Sequence, residues 1–339
     1  MNIVIDNRVT DRLQTKISNF PKDRFLTKKT ALELKASESG AVLNNRKNTW
    51  IQLAGHPGAF APAGPLTIWK KRYNKDNNET KAYELLMKDA ARSIVPMFHR
   101  EVEYNGEYFI EMEDLLRHFT DPSIMDIKLG SRTFLESEVN NPVLRKDLYE
   151  KMVSLDPDAP TEEEKENEAV TKLRYMLFRE QESSTSDFGF RIEALRMSGE
   201  TPTTDLKKVK KKDQIEHVLC KFLDSNTGVR KALIKRLEEM QLLFESSAFF
   251  KSHEVIGSSI LMIYDKEGRT GAWLIDFSKS ISLEDGQTIT HRNPWTLGNH
   301  EDGILFGIDN LLKLFTDLRI ESKPSSSQSD RKETTEDTG

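Results

Sequence analysis

The chain has 339 residues, 37% of them apolar, enough for one large domain or for two lobes with a cleft between them. A formal net charge of −5 argues against a general nucleic-acid binder. No apolar run has membrane-spanning length and no amino-terminal charged-then-apolar segment is present, so the expectation is a cytoplasmic protein without integral membrane association. The single cysteine, Cys220, excludes an intrachain disulfide framework, suits a reducing compartment and reads as a semi-buried helix residue.

In chain order, residues 1–47 show no sustained period and read as a flexible segment. A strand is expected over 50–54, a Gly/Pro turn region over 55–65, a strand over 66–72 and a helix over 78–90 with Ala82, Leu85, Leu86 and Ala90 on one face. Two strands, 101–104 and 107–112, meet at Asn105-Gly106, the strongest short hairpin signal of the chain. Together these build a small sheet lobe. On its own, Lys70 reads as a solvated strand lysine like Lys71, or as a point charge reaching nucleotide phosphates.

The segment Pro122-Ser-Ile-Met-Asp126-Ile-Lys128-Leu-Gly130 sets a carboxylate and an ammonium two residues apart in an apolar run. Period two puts both on one face of a strand. One reading is an edge-strand ion pair. The other is a reaction that needs a proton acceptor beside a group neutralising anionic oxygen.

From about 140 to 200 the composition changes. A helix is expected over 142–155, with Leu144, Leu148, Met152 and Leu155 on its apolar stripe. Thr161 and Glu164 form a capping box opening a second helix, and on that helix Lys172, Tyr175 and Arg179 share one face with Met176 nearby. Such a face is either ordinary solvated surface or a grip for a small polyanion bearing a ring. Over 188–197 alternation turns Phe188, Phe190, Ile192 and Ala194 inward, and the same parity carries Arg196 to that face. The run Lys207-Lys-Val-Lys-Lys-Lys212 reads as a solvated loop, with an import signal or acidic-surface patch as the alternative.

Helices over 213–223 and 229–244 precede two β-rich runs, 257–264 and 271–277, joined by a turn at Asp265-Lys-Glu-Gly268. Asp276 ends the second run directly after Ala-Trp-Leu-Ile, where a lone carboxylate is costly unless a cation such as Mg2+ relieves it. Ser259 can add a hydroxyl ligand or a contact to one. A final helix over 301–318 buries Ile304, Ile308, Leu311 and Phe315, and Asn299-His-Glu-Asp302 before it reads as a capping and turn network rather than a metal site. The end from Glu321 reads as disordered.

Pro122 to Gly130 matches the Pro-x-x-x-Asp-x-Lys-x-Gly signature of the inositol polyphosphate kinase family, and longer blocks resemble its inositol 1,4,5-trisphosphate 3-kinase branch. Those blocks are Trp50-Ile-Gln-Leu-Ala-Gly-His56, Leu144-Arg-Lys-Asp-Leu-Tyr149, Asp156-Pro-Asp-Ala-Pro-Thr-Glu-Glu-Glu164, Ser184-Thr185 with Gly189-Phe-Arg-Ile-Glu193, His253-Glu-Val-Ile-Gly-Ser-Ser259, Ile275-Asp-Phe277 and Asn299-His-Glu-Asp-Gly303, in the family's order.

The resemblance implies an α+β, two-lobed fold with an ATP-grasp and protein-kinase-like core and an inserted helical substrate-binding subdomain. The divisions it implies are 48–120 for the first lobe, 121–320 for the second and 140–186 for the insertion. It implies an enzyme, a kinase that uses ATP and Mg2+ to phosphorylate the 3-hydroxyl of inositol 1,4,5-trisphosphate in inositol phosphate and calcium signalling. Separately from the resemblance, the expectation is a monomer. Carried over residue by residue, the catalytic pair is Asp126 and Lys128. ATP falls to Lys70, Glu113, Asp114, Leu115, Asp126, Arg196 and Asp276, and the metal to Asp276 and Ser259. The inositide falls to Lys128, Lys146, Tyr149, Met152, Lys172, Arg174, Tyr175, Met176, Arg179 and Lys279.

Four departures stand out: Ser278 where the family usually has glycine, Ala59 where it usually has serine, Arg196 where lysine is usual, and an upstream stretch, 31–48, without the aromatic, basic character of a calmodulin-binding helix. The last argues against calmodulin control. A protein kinase is disfavoured because neither a Gly-x-Gly-x-x-Gly loop nor a His-Arg-Asp loop is present. The remaining alternatives are a broader inositol polyphosphate multikinase, disfavoured by the length of the 140–200 region, and an inactive inositide-binding scaffold.

Overall fold

The computed structural model describes residues 59–72, 77–206 and 208–319. The strand expected over 50–54, both terminal segments, the stretch 31–48 and Lys207 lie outside the described residues. The first part comprises β1 (Phe60–Pro62), β2 (Thr67–Lys71), helix α1 (Asn78–Leu86), a 3-10 turn (Ala90–Ile94), β3 (Phe98–Tyr104) and β4 (Glu107–Glu113). The four strands form one antiparallel sheet in the order β1-β2-β4-β3. Asn105 and Gly106 both adopt positive φ, 51° and 73°, so the hairpin turns as its sequence requires.

After the linker at Asp114 come β5 (Ser123–Leu129), α2 (Glu136–Val139), α3 (Lys146–Leu155), α4 (Glu162–Asn167), α5 (Lys172–Gln181), α6 (Thr185–Phe188) and β6 (Phe190–Arg196). Then follow α7 (Lys212–Leu223), α8 (Thr227–Ser246), α9 (Ala248–Lys251), β7 (His253–Ile256), β8 (Ser259–Tyr264), β9 (Thr270–Ile275), β10 (Lys279–Ser282) and α10 (Ile304–Asp317). A second antiparallel sheet runs β6-β5-β8-β9, and β7 pairs with β10. Every strand pair is antiparallel and the helices lie outside the sheets, an α+β arrangement.

Register decides what the second sheet shows to each side. Met125 pairs with Met262 and Ile127 with Ile260, and these side chains with Leu129, Ala272 and Leu274 are at most 1% exposed in the main core. They pack with Ile215 and Leu219 of α7, Leu233, Leu237 and Met240 of α8, and Ile308 and Leu311 of α10. Each such burial stabilises by roughly 1.5–3 kcal/mol. On the opposite face, Asp126 pairs with Leu261 and Lys128 with Ser259, while Ser259 pairs onward with Ile275.

The two sheets share one core. Tyr83 of α1 meets Phe277 edge-on at 5.3 Å. Asp89 accepts the backbone N–H groups of Ala248 (3.0 Å) and Phe249 (3.1 Å), and Arg236 donates to the carbonyls of Ser93 (2.7 Å) and Ala272 (3.0 Å). Helix α1 and the 3-10 turn after it are therefore anchored to the second sheet and its helices.

Four sequence expectations change here. The helix expected over 78–90 ends at Leu86, Leu85 is 47% exposed rather than on the buried face, and Ala90 begins the separate 3-10 turn. The helix expected over 142–155 begins at Lys146: Arg145 is extended and pairs with Val170, so Leu144 leaves the stripe and is 53% exposed. The capping box is present, with Glu164 N–H on Thr161 Oγ1 at 3.2 Å and Thr161 N–H on Glu164 at 2.8 Å. It opens only α4, which ends at Glu168 in the left-handed region, and α5 is a separate helix capped by Thr171. Finally, β6 carries a bulge: Asp126 pairs with Ala194 but Ile127 with Ile192, leaving Glu193 as the extra residue. Strict alternation would have put Arg196 on the core side with Phe190 and Ile192. The bulge turns it to the face of Asp126.

The expected network before α10 is present. Asp302 caps Ile304 N–H at 3.0 Å and accepts Val255 N–H at 2.9 Å. His291 Nδ1 lies 2.9 Å from both Asp302 oxygens and its Nε2 lies 2.7 Å from the Phe250 carbonyl. Against its burial, Asp302 raises the pKa of this imidazole. Gly130, at φ +100°, ends the signature strand where an added Cβ would sit 2.8 Å from the Asp302 carbonyl oxygen. Only glycine fits both constraints.

Candidate active site

The site lies where the two sheets face each other. Asp126 is 8% exposed and its Oδ1 is buried without a hydrogen-bond partner. Burial first, then the charge of Asp276, pushes its carboxyl up to about 6, against the pull of Ser259 and Lys128. Asp276 follows β9 with φ 67°, a left-handed residue held through its carbonyl by Ser258 Oγ at 2.5 Å. Its carboxylate ion-pairs with Lys70 from the first sheet. Although burial opposes it, Lys70 and then Lys128 hold the Asp276 carboxyl below the usual range.

Lys70 also binds Glu79 of α1 at 2.6 Å, and Glu79 accepts Phe277 N–H at 3.3 Å. Burial lowers the Lys70 pKa, but Asp276 and Glu79 outweigh it and keep the ammonium charged. Glu79 was not foreseen from sequence. Its signal was a carboxylate nine residues after Lys70 in the first turn of a helix, which has no meaning until α1 is packed.

Glu113 ends β4 and pairs with Arg117 at 3.1 Å, Asp114 is buried and accepts Leu116 N–H at 3.0 Å, and Leu115 packs with Ile124 and Ile263 against Leu261, Trp273 and Ile275. This apolar floor adjoins Asp126 on the same sheet face. Arg196 is on that face but occupied, donating to Asp121 (2.5 Å) and the Pro122 carbonyl (2.6 Å).

The inserted helices have a small core of Leu148, Met152, Val170 and Phe178, onto which Tyr149 and Tyr175 pack. Met152, expected among the inositide contacts, is 0% exposed: it is a packing residue with no surface to offer. Arg174 is engaged with Glu164 (2.8 Å) and the Ala159 carbonyl (2.7 Å), fastening α4 to α5. Lys146 points outward, 74% exposed, 3.9 Å from Glu168. Lys172, Tyr175, Met176 and Arg179 are half-buried on α5. Lys279 is brought to Glu138 of α2, both oxygens at 2.9 Å, and Glu138 also feels the charge of Lys172.

Sequence reasoning did not single out three further cations. Arg191 lies opposite Lys128 in the register, paired with Glu193 at 2.7 Å. Arg145 is joined to Val170, two residues before Lys172, and forks onto Asp147. Arg132 is buried in the turn after the signature strand. All three sit inside or next to the sequence blocks quoted above, so block membership was the available signal.

Helix α5 is tied to that same turn by Glu180, 4% exposed, which accepts Thr133 N–H at 2.7 Å and Thr133 Oγ1 at 3.1 Å. Burial, despite these bonds, pushes the Glu180 carboxyl up to about 7. The folded state therefore holds a proton that the unfolded state releases near the ordinary glutamate pKa of about 4.3. Stability from this group is present at low pH and falls as pH rises from there through about 7. We expect Glu180→Gln to remove that slope in urea unfolding measured at several pH values.

The donor set suits a hard cation. The Asp276 side chain is 42% exposed, with the orphaned Asp126 Oδ1 and buried Ser259 beside it. Among the described residues no group of three or more His, Cys, Asp or Glu side chains is arranged for a metal. An ion bound chiefly by one or two carboxylates and phosphate oxygens needs no such group.

A lysine on one antiparallel sheet, paired with a helix glutamate and reaching a carboxylate at the edge of a second sheet, defines a kinase-like α+β fold. Residues 109–316 match the inositol polyphosphate kinase family model. The chain is 49% identical over 284 residues to an inositol-trisphosphate 3-kinase homolog of Caenorhabditis elegans, covering 81% of this chain and 56% of that protein. It is 43% identical over 277 residues to human inositol-trisphosphate 3-kinase A, covering 80% and 60%. A crystal structure of an inositol phosphate multikinase from S. cerevisiae with ADP and Mn2+ superposes with a TM-score of 0.50 at 16% identity, over 74% of this chain and 98% of that one. The chain belongs to the inositol polyphosphate kinase family. It spans little more than half the length of these two 3-kinase relatives.

Proposed function

We propose that the protein is an ATP-dependent kinase that phosphorylates the 3-hydroxyl of inositol 1,4,5-trisphosphate to give the 1,3,4,5-tetrakisphosphate, acting in the cytoplasm as a monomer. The observation that carries this reading is the convergence of Asp126 and Lys128 of β5, Asp276 at the end of β9 and Lys70 of β2, three strands drawn from the two sheets. The names of the relatives and the length of the inserted helical region support the narrow substrate choice.

In this reading 48–120 and 121–320 act as two lobes, with 140–186 as the substrate-binding insertion. Glu113, Asp114 and Leu115 receive the adenine over the apolar floor, and Lys70 steadies the nucleotide phosphates. Asp276, with Ser259, would hold Mg2+, which would supply charge neutralisation for the nucleotide phosphates. Asp126 lies at the attacking hydroxyl as proton acceptor or orienting group, and Lys128 neutralises charge between that oxygen and the transferred phosphoryl. Lys172, Tyr175, Met176 and Arg179 grip the inositide, joined by Lys279 and Arg145. Arg196, held by Asp121, reaches a phosphate only by exchanging that partner. Among the described residues no helix is long and apolar enough to cross a membrane.

Incubating pure protein with Mg-ATP and separate inositol phosphates tests the assignment. One product from the trisphosphate supports it, several products favour a multikinase, and binding without turnover a scaffold. Asp276→Asn is expected to lower kcat at least about 100-fold, because a neutral amide binds a hard dication weakly. Wild-type turnover in that variant sinks the metal assignment.

A further inference from the structure

The cations proposed to grip the inositide are not equivalent. Among the described residues, Lys128, Lys172 and Arg179 have no ion pair, whereas Lys279 is held by both oxygens of Glu138 at 2.9 Å. A carboxylate close to two of the cations proposed to take a polyanion is opposed to that role. Sequence resemblance offers no role for it.

Glu138 is also prevented from swinging aside. Its Oε2 accepts Leu135 N–H at 2.9 Å, closing the first turn of α2. Two residues earlier, Glu136 accepts Trp295 Nε1 (2.9 Å), Gly298 N–H (3.0 Å) and His300 N–H (3.2 Å), which pins the helix to the loop before α10. Val139, 5% exposed, anchors the other side. Glu138 thus presents a negative charge at a fixed place between β10, which carries Lys279, and α5, which carries Lys172.

Building on the function proposed above, we propose that Glu138 is a specificity-determining residue: its pinned carboxylate counts against an additional phosphate beside Lys279 and Lys172, limiting the site to inositol phosphates of lower charge. A trisphosphate is gripped chiefly by the unpaired cations and takes from Lys279 only the donor that Glu138 leaves free, so the Lys279–Glu138 pair stays intact. A tetrakisphosphate must either place a dianionic group next to the Glu138 charge or take Lys279 from it, and either loses affinity. Repulsion of this kind discriminates by charge rather than by shape.

The test compares kcat/KM of wild type and Glu138→Gln for inositol 1,4,5-trisphosphate and inositol 1,4,5,6-tetrakisphosphate, both with a free 3-hydroxyl. Glutamine keeps an acceptor for Leu135 N–H, so the turn of α2 survives. The tetrakisphosphate-to-trisphosphate ratio is expected to rise at least 10-fold in the variant. An unchanged ratio, or an equal loss for both substrates with a lowered melting midpoint, overturns the proposal and leaves Glu138 a structural cap. Displacement of bound inositide separates the two readings. If wild type binds trisphosphate without turning it over, the kinase assignment fails while the binding ratio still decides the role of Glu138. If it binds neither compound, both fall.

Discussion

Asp126→Asn is expected to lower kcat by about 100- to 10,000-fold, the range for loss of a positioned proton acceptor, with KM for both substrates changed only a few-fold. The side chains are nearly isosteric, so substrate geometry survives while the acceptor is lost. Wild type should also show an acid limb, turnover rising with pH through about 6 as Asp126 ionises. In the function proposed above, a divalent cation held by Asp276 would draw this limb lower by offsetting the neighbouring negative charge. The limb should vanish in the variant.

Stability should move the other way. Burial raises the folded pKa of Asp126, so between the ordinary aspartate value near 3.9 and about 6 the folded state binds more protons than the unfolded, and stability falls as pH rises across that window. Above it the ionised carboxylate is a standing cost, and removing the charge is expected to stabilise the protein by about 1–3 kcal/mol at pH 8. Urea unfolding and steady-state kinetics on the same preparation check both halves. A variant within 10-fold of wild-type turnover refutes the assigned role.

Arg132→Ala is expected to destabilise the fold by about 3–5 kcal/mol, a large share of the ~5–15 kcal/mol of a typical domain. The side chain is 1% exposed. It donates to Glu254 at 2.8 Å and to the carbonyls of Phe134 (2.9 Å), Glu301 (3.1 Å) and His300 (3.1 Å). Its guanidinium also lies over Trp295 at 5.5 Å and Phe134 at 5.9 Å. Truncation strands the buried Glu254 carboxylate, frees three carbonyls and opens a cavity.

A double-mutant cycle with Glu254→Gln isolates the stranded charge. The pair should be less destabilised than the sum of the singles, because the second change removes the charge that the first exposed. Urea midpoints with m-values measure it, and a single-variant loss below 1 kcal/mol would show that this junction contributes little. Because Arg132 joins the end of the signature strand to the loop before α10, the variant should also weaken inositide binding at temperatures where it is folded.

Local physics was well recorded in the sequence. Asn105-Gly106 could only turn, the stripe Val229, Leu233, Leu237, Met240 and Phe244 could only face a core from a helix, and Asp302 caps α10 as its position implied. The helix over 142–155 failed at its start because the Arg145–Val170 bridge outcompeted the leucine stripe. The second helix broke at Glu168 because a capping box states where a helix opens and nothing about where it closes.

What the sequence determined by itself is the chemistry within a single element: Asp126 beside Lys128 on one strand face, Asp276 at a strand's end, Lys172 aligned with Arg179 along a helix. The tertiary structure alone decided which of these meet. Lys70 and Asp276 are 206 residues apart, Arg132 and Glu254 122, and Glu138 and Lys279 141. The bulge at Glu193 is the clearest instance, since one extra residue in β6 reverses strand parity and turns Arg196 from the core to the cleft face. Spacing is a property of the chain, but pairing depends on the free energy of the whole packed core, to which every element contributes at once.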